Sequence, residues 1–156
     1  MTNLVQLIAA FTGSLGFATL FRVRREKILL AGIGGLLSWA VYLALGPVMP
    51  QDVPRFFISA VAVGLYAEIL ARVVKCPATL FLVTGTIPLI PGGGLYRTMS
   101  AFMAGDYAAC SAQGLNTLLL AVALAVGMLF PMSIFQLIRR VQVHLAQKQR
   151  SGGGQR

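Results

Sequence analysis

Between Lys75 and Arg97 the sequence carries no charge, and inside that stretch stands TIPLIPGGGLYRT, residues 86–98. Pro88 and Pro91 each remove a backbone donor and crowd the preceding turn, which disfavours a continuous helix. Gly92, Gly93 and Gly94 then allow left-handed or extended backbone at little steric cost. A half-helix starting after Gly94 would present a partly positive amide end, and Arg97 would add a full charge. Such a set suits a carboxylate, which arginine grips with two hydrogen bonds. Tyr96 lies between them. A second reading makes the motif a plain turn outside the bilayer, with Arg97 at headgroup depth.

Glu68 is the acid that falls well inside an apolar stretch. An intramembrane carboxylate is a functional candidate, for example as a proton carrier. Arg72 follows one helical turn later on the same face, where pairing alone accounts for both charges. The two readings stand side by side. Gln6, Thr12, Ser14, Ser38, Thr84, Thr86 and Asn116 are expected to bond neighbouring helices rather than to line a polar path. Trp39, Tyr42, Tyr66, Tyr96 and Tyr107 form no recognisable aromatic cage; some suit interfacial anchoring.

No catalytic set emerges. The sequence lacks GxSxG, HExxH and the Gly-Lys-Ser/Thr ending of a phosphate loop, so the expectation is a protein that is not an enzyme. Cys76 and Cys110 show no metal spacing, and His144 stands alone as a solvated surface histidine. Neither a metal nor another cofactor is expected.

These residues sit in a chain of 156 that is 57% hydrophobic and only 11% charged. A soluble domain carries about 25% charged residues, so the expected solvent is lipid. Apolar stretches cover residues 3–21, 28–45, 56–74, 78–96 and 115–138. Each approaches the roughly 20 residues that a helix needs to cross a bilayer. Strands of a barrel would be shorter and would alternate in polarity. The expectation is therefore an all-α integral membrane protein of about five transmembrane helices, the fourth broken by the Pro/Gly motif. Residues 1–138 form one transmembrane module. Residues 139–156 form a basic tail, disordered at its end in SGGGQR. The first apolar stretch reads as a span and not as a cleaved signal, since no basic segment precedes it. Pro131 is expected to kink the last span.

Pro88 lies ten residues into its stretch, about 15 Å along a helix, near the middle of a hydrocarbon core about 30 Å thick. Small residues recur four apart, at Ala9 and Gly13, Thr12 and Gly16, Ala31 and Gly35, Gly34 and Ser38, and Ala60 and Gly64. Such pairs let helix backbones approach closely in lipid.

The net charge is +9, from 13 Lys and Arg against four acids. Nucleic-acid binding is set aside, because the basic residues lie between apolar stretches and no recognition motif accompanies them. Their distribution sets orientation instead. Arg22, Arg24, Arg25, Lys27, Arg72, Lys75 and the tail fall on one side, and Arg55 and Arg97 on the other. By the positive-inside rule the N-terminus is outside and the C-terminus cytoplasmic. Cys76 and Cys110 then fall on opposite sides and form no disulfide.

The block FISAVAVGLYAEILARVVKCPATLFLVTGTIPLIPGGGLYRTMSAFMAGD, residues 57–106, resembles the threonine/serine exporter family, in its small-subunit or C-terminal-half form. AEILAR, then PAT, then IPLIPGGGLYRTM carry the resemblance. It implies a polytopic exporter of the bacterial inner membrane, driven by the proton motive force, whose other half is a larger partner subunit. Residues Pro88, Pro91, Gly92, Gly93, Gly94, Tyr96 and Arg97 fall in the signature, and Glu68 in the block before it. Threonine or serine is the first cargo implied. Some two-component relatives imply a dicarboxylate such as succinate. A non-transporting scaffold subunit is the reading from another class, and a homo-oligomer is a further arrangement open to the chain.

Overall fold

A computed structural model describes residues 2–152. The side chains of Arg139 and of residues 141–156 lie outside the described residues, as do the expectations for His144 and for the end of the tail. Helices are α1 (Thr2–Leu20), α2 (Arg25–Ala44), α3 (Asp52–Val73), α4 (Ala78–Thr86), α5 (Gly92–Met103) and α6 (Tyr107–Gly152), with a 3-10 turn at Ile87–Leu89. No strand occurs among the described residues.

Four helices are long and apolar enough to cross a membrane: α1, α2, α3 and the portion Tyr107–Ile138 of α6. Ala78–Leu89 and Gly92–Met103 are apolar enough only together, and they meet at 48°. The packing of α3 on α6 shows what this pair does. A Cβ on Gly64 would approach Pro131 Cγ at 2.8 Å, and one on Gly127 would meet Ala60 Cβ at 2.7 Å. Contacts thus advance in the same direction along both helices, and α3 and α6 run parallel. The bent pair must carry the chain from the end of α3 back to the start of α6. It is therefore one broken span, and the count is five.

Where α2 and α3 pack, small residues line the interior. Ala31, Gly34, Gly35 and Ser38 of α2, and Ala60, Val63, Gly64 and Ala67 of α3, are buried. Large apolar side chains such as Leu4, Ile8, Leu29, Ile69, Leu118 and Leu129 point outward. In lipid no hydrophobic force drives large side chains inward, so close backbone approach decides which face packs. The pairs on α2 and α3 follow that rule. On α1, Thr12 and Gly16 are exposed and pack nothing.

Helix ends are set locally. α1, α3 and α5 end alike, in a six-to-one amide bond after a residue with positive φ. Val23 donates to Ala18, Cys76 to Ala71 and Asp106 to Ala101, all within 3.0 Å. The left-handed residues are Arg22, Lys75 and Gly105. α3 starts at Asp52, four residues before the expected boundary, because Pro54 falls in the first turn where proline costs no helix bond. α6 likewise starts early: Asp106 Oδ1 accepts the Ala109 amide at 2.9 Å, capping orphan donors. Residues 97–114 are consequently helical on both sides of a short turn.

Asp52 ties its own end of the bundle together. It accepts the Tyr42 hydroxyl at 2.8 Å and pairs with Arg55 at 3.1 Å. Arg55 also donates to the Tyr42 carbonyl, and its guanidinium lies 3.9 Å from the centre of the Tyr42 ring. At the opposite end, called here the Cys76 end, Lys27 donates to Cys76. Cys76 and Cys110 are free thiols. Pro131 lies buried within α6 against Gly64, and α6 continues through it.

Candidate substrate site at the broken span

α4 reaches the middle of the bundle at Gly85, where a Cβ would stand 2.5 Å from Val63 and 3.5 Å from Gly34 Cα. The helix ends one residue later. Thr86 turns its hydroxyl back to the carbonyls of Leu82 and Val83 at 3.0 and 3.1 Å. Pro88 sits in the first turn of the 3-10 segment. Ile90 is extended (φ −64°, ψ 122°), as the residue before a proline prefers. Pro91 then precedes α5, where its missing donor costs no helix bond.

The three glycines are helical, contrary to the left-handed or extended backbone expected of them, because Pro91 already supplies the change of direction. α5 starts at Gly92, so its amide end lies before the glycines and not after Gly94. Pro91 has no side chain to cap those amides. Its carbonyl accepts Gly94 and Leu95 at 3.1 Å, and Ile90 accepts Gly92 at 2.7 Å. The Gly93 amide has no backbone acceptor among the described residues. Gly92 and Gly93 are exposed, and nothing lies within 4 Å of where their Cβ atoms would be. Gly94 differs, since any side chain there would collide with Thr117 of α6.

Two cavities flank the interruption. Pro88 closes one of about 270 Å³ with Gln6, Ala9, Ala10 and Trp39. There Trp39 Nε1–H donates to Gln6 Oε1 at 3.3 Å. Pro91, Leu95 and Thr98 close another of about 570 Å³, apolar, against Thr117 and Leu118. Leu89 is fully buried between them, beside Phe56 and Ala60.

Pro88 and Pro91 thus line different cavities, and Gly92, Gly93 and Gly94 line neither. Tyr96 and Arg97 follow on α5 with exposed side chains. Arg97 makes no ion pair among the described residues. It lies five residues past Gly92, about 7.5 Å up the axis, and long helical side chains lean back toward the N-terminus. Glu68 is elsewhere. It lines a cavity of about 420 Å³ at the Cys76 end with Arg72, Phe135 and Gln136. Sequence reasoning missed Thr117, Phe135 and Gln136, which come from α6. Most of the interior hydroxyls bond neither a neighbour nor a path. Ser38, Thr84 and Thr86 return to carbonyls of their own helices, as does exposed Thr12, and Ser14 is buried without a partner. Among the described residues no three His, Cys, Asp or Glu side chains gather as a metal site would require.

A family model described as threonine/serine exporter, ThrE, matches residues 6–134. The chain belongs to this exporter family. No curated protein and no solved structure matches it. The matched region of this exporter runs from α1 to the Pro131 turn of α6. It contains both Glu68 and the whole broken span. Membership gives the chain an exporter-type role in membrane transport.

Proposed function

We propose that this chain is the smaller subunit of a two-part exporter that moves threonine or serine out of the cytoplasm. It works with a larger partner subunit and draws on the proton motive force. The observation that carries the reading is the break in the fourth span. The Gly93 amide stands bare beside it, and neither Gly92 nor Gly93 has a side chain to keep a ligand off. Irregular backbone at membrane depth is tolerated where it lines a cavity, and broken spans build substrate sites in secondary transporters. The site comprises Pro88, Pro91, Gly92, Gly93, Gly94, Tyr96 and Arg97. The Gly93 amide and Arg97 hold the substrate carboxylate, and Glu68 carries the coupling proton.

The Cys76 end faces the cytoplasm of the bacterial inner membrane in this reading, because Arg22, Arg24, Arg25, Lys27, Arg72 and Lys75 gather there. The N-terminus is then outside and the C-terminus inside. The test is threonine efflux from cells carrying both subunits, with Arg97→Ala at matched expression. Losing a charge-assisted contact of about 1.5–3 kcal/mol lowers efflux roughly 10- to 100-fold. Unchanged efflux removes Arg97 from the site.

A further inference from the structure

The cavity at the Cys76 end has a chemistry of its own. Its volume of about 420 Å³ falls in the range of small-molecule pockets. α3 contributes Glu68 and Arg72, α6 contributes Phe135 and Gln136, and the link 74–77 contributes Cys76. The Glu68 side chain is only 14% exposed, yet its nearest positive charge, Arg72 Nη2, is 3.7 Å away. A charge-assisted hydrogen bond would be about 2.7–2.9 Å. Neither side chain makes a hydrogen bond among the described residues. Arg72 instead places its guanidinium carbon over Phe135, 4.1 Å from the ring centre. The Glu68 carboxylate faces the cavity with its lone pairs unused by the protein, so it is free to accept donors from a ligand.

We propose that this pocket binds the zwitterionic head of an α-amino acid, Glu68 receiving the ammonium and Arg72 the carboxylate. The two protein charges stand close together with opposite signs, as the two ligand charges do. A dicarboxylate would set one of its own anions against Glu68. Lys27, turned to Cys76 at the pocket wall, leaves that arrangement intact. The inference rests on the exporter reading for its substrate class and adds a second site, well away from the break. Proton and ammonium are alternative occupants of one carboxylate, so Glu68 keeps its place in coupling.

Cys76 lines the pocket and reports on it directly. In a Cys110→Ser chain, in permeabilised membranes of the same cells used for efflux, alkylation of Cys76 by N-ethylmaleimide is followed by mass. L-Threonine at ten times its dissociation constant should slow the reaction about tenfold. N-Acetyl-L-threonine lacks the ammonium, and L-threonine methyl ester lacks the carboxylate. Neither should protect, nor should succinate. Glu68→Gln and Arg72→Gln should abolish protection by threonine, each measured against its own unliganded rate of alkylation, with the melting temperature in detergent showing whether the fold is kept. Equal protection by either derivative, or protection by succinate alone, overturns the assignment. So does efflux of threonine without any protection, and that result leaves the exporter reading standing. Protection without efflux would uphold the pocket and remove the exporter reading.

Discussion

Three adjacent glycines of one type do three different things. Gly94 is a packing residue, Gly93 an open amide and Gly92 the first residue of a helix. Gly94→Ala drives a methyl group into Thr117, with Cγ2 already 3.2 Å from the Cβ position. Overpacking of this kind costs about 1–3 kcal/mol, read as a lower melting temperature in detergent. Thr117→Ala should restore much of it. Gly93→Ala meets nothing within 4 Å, so stability holds or rises, by up to about 1 kcal/mol from helix propensity, while threonine efflux falls. Sequence alone groups the three, because the difference lies in α6, over 20 residues away. Lys75 offers a separate check. It holds φ 52°, a conformation costing about 1 kcal/mol for a residue with a Cβ. Lys75→Gly should raise the melting temperature by a few degrees, the usual yield of about 1 kcal/mol.

At the level of elements, apolar length carries most of the information. Lipid leaves a helix few alternatives, so five stretches of sequence suffice to find five spans. Boundaries are less legible. Pro54 and Asp106 look like loop residues, yet one fits the first turn of α3 and the other caps α6. The interruption was legible because two prolines cannot both be accommodated in one helix interior. Its conformation was not, because Pro91 leaves the glycines free to be helical. The pocket at the Cys76 end was hidden for another reason. Its lining residues on α3 and on α6 stand over 60 positions apart in sequence. Their parallel packing depends on Gly127, where a Cβ would also sit 2.7 Å from the Phe57 carbonyl oxygen. A backbone atom cannot move aside, so Gly127→Ala should separate α3 from α6 and lower stability by about 1–3 kcal/mol.

For the whole molecule, small residues where helices cross and many large apolar ones outside describe a bundle built for lipid. Because α4 and α5 together make one span, the α3–α4 link and the α5–α6 turn lie at opposite ends. In the proposed orientation Cys110 lies toward the outside and Cys76 toward the cytoplasm. A membrane-impermeant maleimide added to intact cells should therefore label Cys110 and spare Cys76; the reverse pattern inverts the orientation. The central claim is that substrate crosses where the fourth span is interrupted. Counterflow of labelled threonine in vesicles carrying both subunits tests it, comparing the unsubstituted chain with Pro88→Ala/Pro91→Ala, which permits a straighter helix. The account predicts that threonine accumulates with the unsubstituted chain, that succinate does not, and that the double variant loses counterflow while keeping its melting temperature. Equal threonine counterflow with and without the two prolines would contradict it.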